Sequence, residues 1–162
     1  MALFTIQPLS LPGVIVWIMP APVSPENRPN FTGLWQADLA ASVFRSQPPE
    51  GLLNCIDHKE PYLIQEMILT QPCGEHRSVF RYDITGAETR NTVMGMLARS
   101  CASWVGSELL IETWLPTLAG EFHFKDYWSL AADGERLIMA HRDDGLAGQT
   151  VVHRRVPASA PQ

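Results

Sequence analysis

Residues 122–142 read FHFKDYWSLAADGERLIMAHR, and this stretch decides the fold. Side chains alternate along its first nine residues, which is the period of a β-strand with one buried face. The inward face would hold Phe122, Phe124, Asp126, Trp128 and Leu130. Asp133-Gly134 then marks a tight turn, because glycine accepts a positive φ at no steric cost. The stretch therefore predicts an antiparallel hairpin with one face in a core.

Pairing through that turn fixes which side chains lie opposite each other. The predicted pairs are Leu130 with Leu137, Trp128 with Met139, and Asp126 with His141. A carboxylate beside an imidazole can orient it and raise its basicity, so Asp126 and His141 are the candidate catalytic acid–base pair. The alternatives are a buried polar pair that satisfies itself, or a register error that leaves both residues at the barrel rim.

The same pattern of short runs and turn signals continues through the rest of the chain. Strands are expected near 31–37, 52–58, 62–70, 76–83, 88–93, 96–105, 108–115, 121–130, 136–142 and 149–156. Asp38 would cap a short helical turn after the first strand. We expect an all-β fold, a single antiparallel up-and-down β-barrel of about 8–10 strands, since closure removes exposed edges.

The strand near 108–115 has two possible registers. Its more apolar face would point inward and hold Leu109, Ile111, Thr113 and Leu115. Glu108, Glu112 and Trp114 would then face outward. A slip of one residue would reverse this assignment, and the open loop at 116–120 does not exclude it.

The chain divides into an apolar, proline-rich segment at 1–29, the barrel at 30–156 and a flexible tail at 157–162. The first 25 residues carry no charged side chain, and residues 11–19 resemble the apolar part of an export signal without its positive start. This favours an exported or periplasmic location over the cytoplasm. An extended arm that packs on the barrel, on a second copy or on another chain is the alternative, as is a mis-assigned start. Membrane association stays open.

Composition excludes several classes of partner. The net charge is −5 and no Lys/Arg run exceeds two residues, so nucleic acid is not expected. The three cysteines form no CxxC pair, which disfavours structural zinc. Alternation places His123 and His141 on opposite faces, so with His153 they do not form a metal site. We expect no metal and no cofactor.

Residues 30–35, Asn-Phe-Thr-Gly-Leu-Trp, resemble the Gly-x-Trp motif that opens the first strand of lipocalins. The stretches 128–137 and 152–155 are similar to the late hairpin and closing strand of small bacterial lipocalin-like (calycin-type) proteins, most of them uncharacterised. The resemblance covers about residues 30–156 and implies a barrel with an apolar cavity. It also implies that Arg154 or Arg155 packs across Trp35 and closes one end.

Three functions follow from such a barrel. The leading one is a binding protein for a small hydrophobic molecule, with Asp126 and His141 as polar anchors. The predicted ligand-binding residues are Phe122, Phe124, Trp128, Met139 and Ile111. The alternative is a cofactor-independent isomerase, cyclase or hydratase that uses the Asp/His pair in the same cavity. The third is an accessory subunit of a larger assembly, which would have a filled barrel without a cavity and an N-terminal arm that lies on another chain.

Overall fold

The computed structural model describes residues 27–143 and 148–157, together with the backbone of two short strands nearer the N-terminus. The strands are β1 Leu9–Leu11, β2 Val14–Val16, β3 Gly33–Ala37, β4 Gly51–Lys59, β5 Tyr62–Gln71, β6 Gly74–Asp83, β7 Glu88–Val93, β8 Met96–Val105, β9 Glu108–Thr117, β10 Gly120–Leu130, β11 Arg136–Asp143 and β12 Gln149–Arg155. β1 and β2 form a separate hairpin. The other ten strands form one antiparallel sheet in the order β6-β5-β4-β3-β12-β11-β10-β9-β8-β7.

This ten-stranded sheet confirms the predicted lipocalin-like barrel. The register of the β10–β11 hairpin is also confirmed, since Leu130, Trp128 and Asp126 pair with Leu137, Met139 and His141. On β9 the inward face is the predicted one, with Leu109, Ile111, Thr113 and Leu115 all buried. The one-residue slip is therefore excluded.

The barrel is nearly closed, whereas the sequence predicted full closure. β6 and β7 are the two ends of the sheet order and share no ladder of backbone hydrogen bonds. The buried side chain of Asn91 bridges them instead. Its Oδ1 accepts from the Arg81 amide at 2.7 Å and its Nδ2 donates to the Arg81 carbonyl at 3.0 Å. One carboxamide thus satisfies both backbone groups of the facing residue, as a paired strand would.

Aromatic side chains fill one end of the barrel. Phe31 stacks on Trp104 with ring centroids 5.8 Å apart and meets Trp128 edge-on at 5.9 Å. Trp35 is fully buried, and its indole nitrogen donates to the Phe31 carbonyl at 2.9 Å. We call this end the plugged end. Because these rings fill the plugged end, any cavity must lie on the other side of Trp128.

Arg155, and not Arg154, covers Trp35 of β3. Its guanidinium lies 4.2 Å from the Trp35 ring and donates to the carbonyls of Thr32 and Gly134. A Cβ on Gly33 would come within 2.6 Å of this guanidinium, so the glycine of the Gly-x-Trp motif makes room for it. Arg154 has the opposite parity on β12 and points outward.

The segment between β3 and β4 differs from the expectation of a helical turn. It makes a single hydrogen-bonded turn, in which Asp38 accepts from the Ala41 amide, and then runs beside β12 through a bridge between Val43 and Thr150. The Val43 amide donates to the Thr150 carbonyl at 2.7 Å, so the turn does not continue as a helix. The carboxylate of Asp38 is held by Arg154 at 2.6 Å. We call residues 38–50 the strap.

Several predictions fall outside the described residues. These are the Asp144-Gly145 turn, the tail beyond residue 157 and the choice among the three interpretations of the N-terminal segment, whose side chains are not described before residue 27. Among the residues that are described, no helix is long and apolar enough to span a bilayer.

Candidate functional site

A cavity of about 220 Å³ lies between the plugged end and the opposite end of the barrel. Its apolar lining consists of Leu52, Met67, Phe80, Val93, Phe124, Trp128, Met139 and Val151. Its polar lining consists of Asn54, Gln65, Tyr82, Ser100, Thr113, Asp126, His141, Gln149 and His153. Because alternate residues of each strand face inward, these side chains come from nine of the ten barrel strands, all but β3.

The deep part of the lining contains a chain of three buried polar side chains. Gln65 donates to Asn54 Oδ1 at 2.8 Å, and Asn54 Nδ2 lies 2.9 Å from His153 Nε2. Burial lowers the pKa of His153 to about 4, so the ring is neutral at neutral pH and Nε2 accepts the proton from Asn54. A second pair, Ser100 and Thr113, shares a hydrogen bond at 3.0 Å. None of these hydrogen bonds involves a charged group.

Asp126 and His141 lie on the side of the cavity away from the plugged end, and they are in contact. His141 Nδ1 is 2.8 Å from Asp126 Oδ1, and the two side chains keep 21% and 27% of their accessible surface. The hydrogen bond to Asp126 raises the pKa of His141, although burial opposes this. Their partial exposure shows that the cavity communicates with solvent at this end, which we call the mouth.

The polar cluster continues from the mouth to the strap. His141 Nε2 lies 3.6 Å from Asp143 Oδ2, and Arg45 of the strap forms an ion pair with the same Asp143 oxygen. The guanidinium of Arg45 lowers the pKa of the Asp143 carboxyl. Both ring nitrogens of His141 therefore face carboxylates, and the nearest arginine is already paired.

The structure brings together part of the predicted ligand-binding set. Phe124, Trp128 and Met139 line the cavity beside Asp126 and His141. Phe122 does not, because it lies two residues farther along β10 at the rim, 36% exposed against the edge of Phe124. Ile111 does not either, since it is fully buried in the core.

Sequence reasoning missed the deep polar chain. Asn54 has the same parity on β4 as Ile56, and Gln65 has the same parity on β5 as Leu63, and both apolar neighbours are buried. Polar residues on a strand face that is otherwise apolar were thus the signal that could have indicated this chain. The sequence pattern suggests His153 only as a possible metal ligand.

The outward-facing aromatic residue predicted on β9 is covered by its own neighbours. Trp114 stacks on His123 at 4.8 Å, and the Arg99 guanidinium lies 4.5 Å from the indole. His123 pairs with Glu112 on this outer face, so it does not converge with His141. Within the described ranges no cluster of three His, Cys, Asp or Glu side chains is placed to hold a metal ion.

No protein-family model matches the chain, and no curated protein matches it in sequence. Solved structures do match the fold. A secretory abundant heat soluble (SAHS) protein from Ramazzottius varieornatus is 10% identical, covering 78% of this chain and 95% of its own, with a TM-score of 0.62. The zebrafish ileal bile acid-binding protein complexed with cholic acid is 13% identical, covering 78% and 98%, with a TM-score of 0.56. Apo lipid binding protein 8 of Caenorhabditis elegans is 7% identical, covering 83% and 99%, with a TM-score of 0.57.

These identities show a shared fold and no more. The chain therefore has a lipocalin-like β-barrel fold.

Proposed function

We propose that the protein binds one small hydrophobic molecule in the barrel cavity. The observation that carries this proposal is a space of about 220 Å³ that is open at the mouth and bounded by aromatic and aliphatic side chains. Protein interiors are close-packed, and a void of this size in a core costs stability, so its presence favours a binding role. A filled barrel, as an accessory subunit would have, is not what these side chains form.

The size of the cavity sets the size of the ligand. Sites for drug-sized molecules usually span about 300–1,000 Å³. At about 220 Å³, the cavity suits a smaller body, such as a short alkyl chain or an aromatic compound of two or three rings. Burial of that body against Phe124, Trp128 and Met139 supplies the affinity, at about 0.8 kcal/mol for each methylene group.

The likeness in fold supports this proposal by analogy. Two of the solved neighbours are named for binding a bile acid and a lipid. We also infer membership of the small bacterial lipocalin-like proteins from the Gly-x-Trp motif, with Arg155 over Trp35 as the barrel-end closure. Fold alone does not fix a ligand, so the proposal rests on the cavity.

Titration with N-phenyl-1-naphthylamine tests the proposal, because this neutral dye fluoresces when it leaves water. The wild-type protein should bind one dye per chain and enhance its emission. Met139→Trp should fill the cavity and weaken binding by tenfold or more, which is about 1.4 kcal/mol. Ile138→Trp is the matched control, since the neighbouring residue faces outward and should leave binding unchanged. Equal binding by both variants would contradict the proposal.

The Asp126–His141 hydrogen bond supports a second candidate, proton transfer on a hydrophobic substrate. Both nitrogens of His141 face carboxylates, so the group that would accept a proton is Asp126 Oδ2, with His141 orienting the carboxylate. An isomerase-type turnover that is pH-dependent and lost in His141→Ala, with the fold intact, would establish it. Unchanged turnover in that variant would exclude it.

A further inference from the structure

The cavity holds a carboxylate and no lysine or arginine. All twelve Lys and Arg residues of the chain lie within the ranges that the structure describes, and none of them lines the cavity. Among the lining residues that the structure describes, Asp126 is the one carboxylate. An acidic ligand would therefore meet a negative group and no permanent positive one. This inference rests on the proposed binding function and concerns which head group the ligand carries.

The two histidines of the lining do not replace the missing cation. His153 is buried and neutral, and its Nε2 already accepts from Asn54. His141 lies between Asp126 and Asp143, so any positive charge it carries is compensated by carboxylates of the protein itself. Arg45, the cation nearest to this cluster, pairs with Asp143 outside the lining.

Asp126 has one oxygen available to a ligand. Its Oδ1 takes the hydrogen bond from His141, while Oδ2 has no hydrogen-bond partner among the described residues. The hydroxyl of Tyr82, a buried residue of the same lining, likewise has none. Burial and the charge of Asp126 both raise the pKa of Tyr82, so the hydroxyl keeps its proton and its oxygen can still accept. Asp126 Oδ2 can only accept, and the Tyr82 oxygen can accept while its hydroxyl donates elsewhere, so both groups suit a head group that donates.

The walls beside Asp126 are aromatic. Phe124 and Trp128 lie two residues away on either side of it on β10, and Tyr82 meets Trp128 edge-on at 6.4 Å. The faces of aromatic rings attract cations, most strongly where water is excluded. A carboxylate among aromatic side chains is an arrangement that suits an ammonium group.

We propose that the cavity selects a small hydrophobic amine, bound as the ammonium ion with its head on Asp126 Oδ2 and Tyr82, over an acid of the same size. The apolar body would occupy the space toward Met139 and Trp128. The opposite preference is the one expected of a barrel that binds acids, such as the neighbour complexed with cholic acid.

Three ligands with one alkyl chain test the head group. Octylamine, 1-octanol and octanoic acid are each titrated at pH 7.5 as competitors of N-phenyl-1-naphthylamine. The alkyl chain of the acid is one carbon shorter than that of the other two, which is worth about 0.8 kcal/mol or about fourfold, so a difference beyond that reports the head group. The amine should bind at least tenfold more tightly than the acid, with the alcohol between them.

Asp126→Asn removes the charge and keeps the shape. It should lower the affinity for octylamine by about tenfold, raise that for octanoic acid and leave 1-octanol nearly unchanged. Glu112→Gln is the control, because it removes a negative charge from the outer face of the adjacent strand and should alter none of the three affinities. Thermal unfolding of both variants shows that they are folded. The ligand series on the wild-type chain stands without either variant.

The outcomes separate this inference from the function on which it rests. Dye binding together with octanoic acid as the tightest ligand would overturn the amine preference and leave the binding function in place. An amine preference that survives in Asp126→Asn would overturn the role of Asp126. Failure of the dye and of all three ligands to bind would overturn both proposals.

Discussion

The buried imidazole of His153 makes the stability of the barrel depend on pH. The ring is fully buried on β12 and neutral, because burial lowers its pKa to about 4 from 6.5. In the unfolded chain the same ring takes up a proton near 6.5. Between these two values the unfolded state binds more protons than the folded state. Stability is therefore complete above pH 6.5 and falls as the pH drops toward 4.

The size of this effect follows from the two pKa values. Each pKa unit corresponds to about 1.4 kcal/mol, so the fall from 6.5 to about 4 is worth about 3 kcal/mol. His153→Gln removes the titration, and its side-chain oxygen can still accept from Asn54. The free energy of unfolding of this variant should therefore not fall by that amount between pH 6.5 and 4.

Urea unfolding followed by tryptophan fluorescence at several pH values between 7.5 and 4 measures the effect. The difference between wild type and His153→Gln isolates one residue, because His58, whose pKa burial also lowers, and His141 are present in both. As the pH falls, the free energy of unfolding of the variant should rise by about 3 kcal/mol relative to that of the wild type. The exposed His76, changed to Gln, serves as control. A difference that stays constant across this range would refute the buried neutral imidazole.

Two further predictions concern how the barrel is closed. Asn91→Ala should destabilise the fold by about 2 kcal/mol, because it removes both hydrogen bonds across the β6–β7 seam. The neighbouring exposed Thr92→Ala should have little effect. Equal urea midpoints for the two variants would contradict this prediction. Arg155→Met should cost about 2–3 kcal/mol through lost hydrogen bonds and lost contact with Trp35. Thermal unfolding should rank it well below Arg154→Met, and the reverse order would contradict the assignment.

The sequence was sufficient for the parts of the barrel that depend on local pattern. In the hairpin of β10 and β11, strict alternation and one Asp-Gly turn specify both the inward face and the register. The contact between Asp126 and His141 follows from those two features alone. It could be predicted because a hairpin register needs no information from the rest of the chain.

Features that depend on distant strands could not be obtained in this way. The seam between β6 and β7 joins strands that follow one another in the chain, so sequence order predicts a ladder where the structure has a side-chain bridge. The chain of Gln65, Asn54 and His153 links three strands, two of them far apart in sequence. Phe122 and Ile111 have the predicted inward orientation on their strands. Their positions along the barrel axis place Phe122 at the rim and Ile111 in the core, and alternation does not give those positions.

The choice between the two closing arginines illustrates the same limit. Trp35 pairs directly with Arg155 in the register between β3 and β12, and that register is set by a contact between the two ends of the chain. Alternation shows that Arg154 and Arg155 face opposite sides. It does not show which of them faces the tryptophan.

The central claim, that the barrel interior is a ligand site, is tested most directly by nuclear Overhauser effects between a bound ligand and the protein. With octylamine in excess, its terminal methyl group should show effects to the Met139 methyl group and the Trp128 ring, which line the cavity. Effects confined to exposed side chains such as Met94 and Leu118, with none inside the barrel, would contradict the claim.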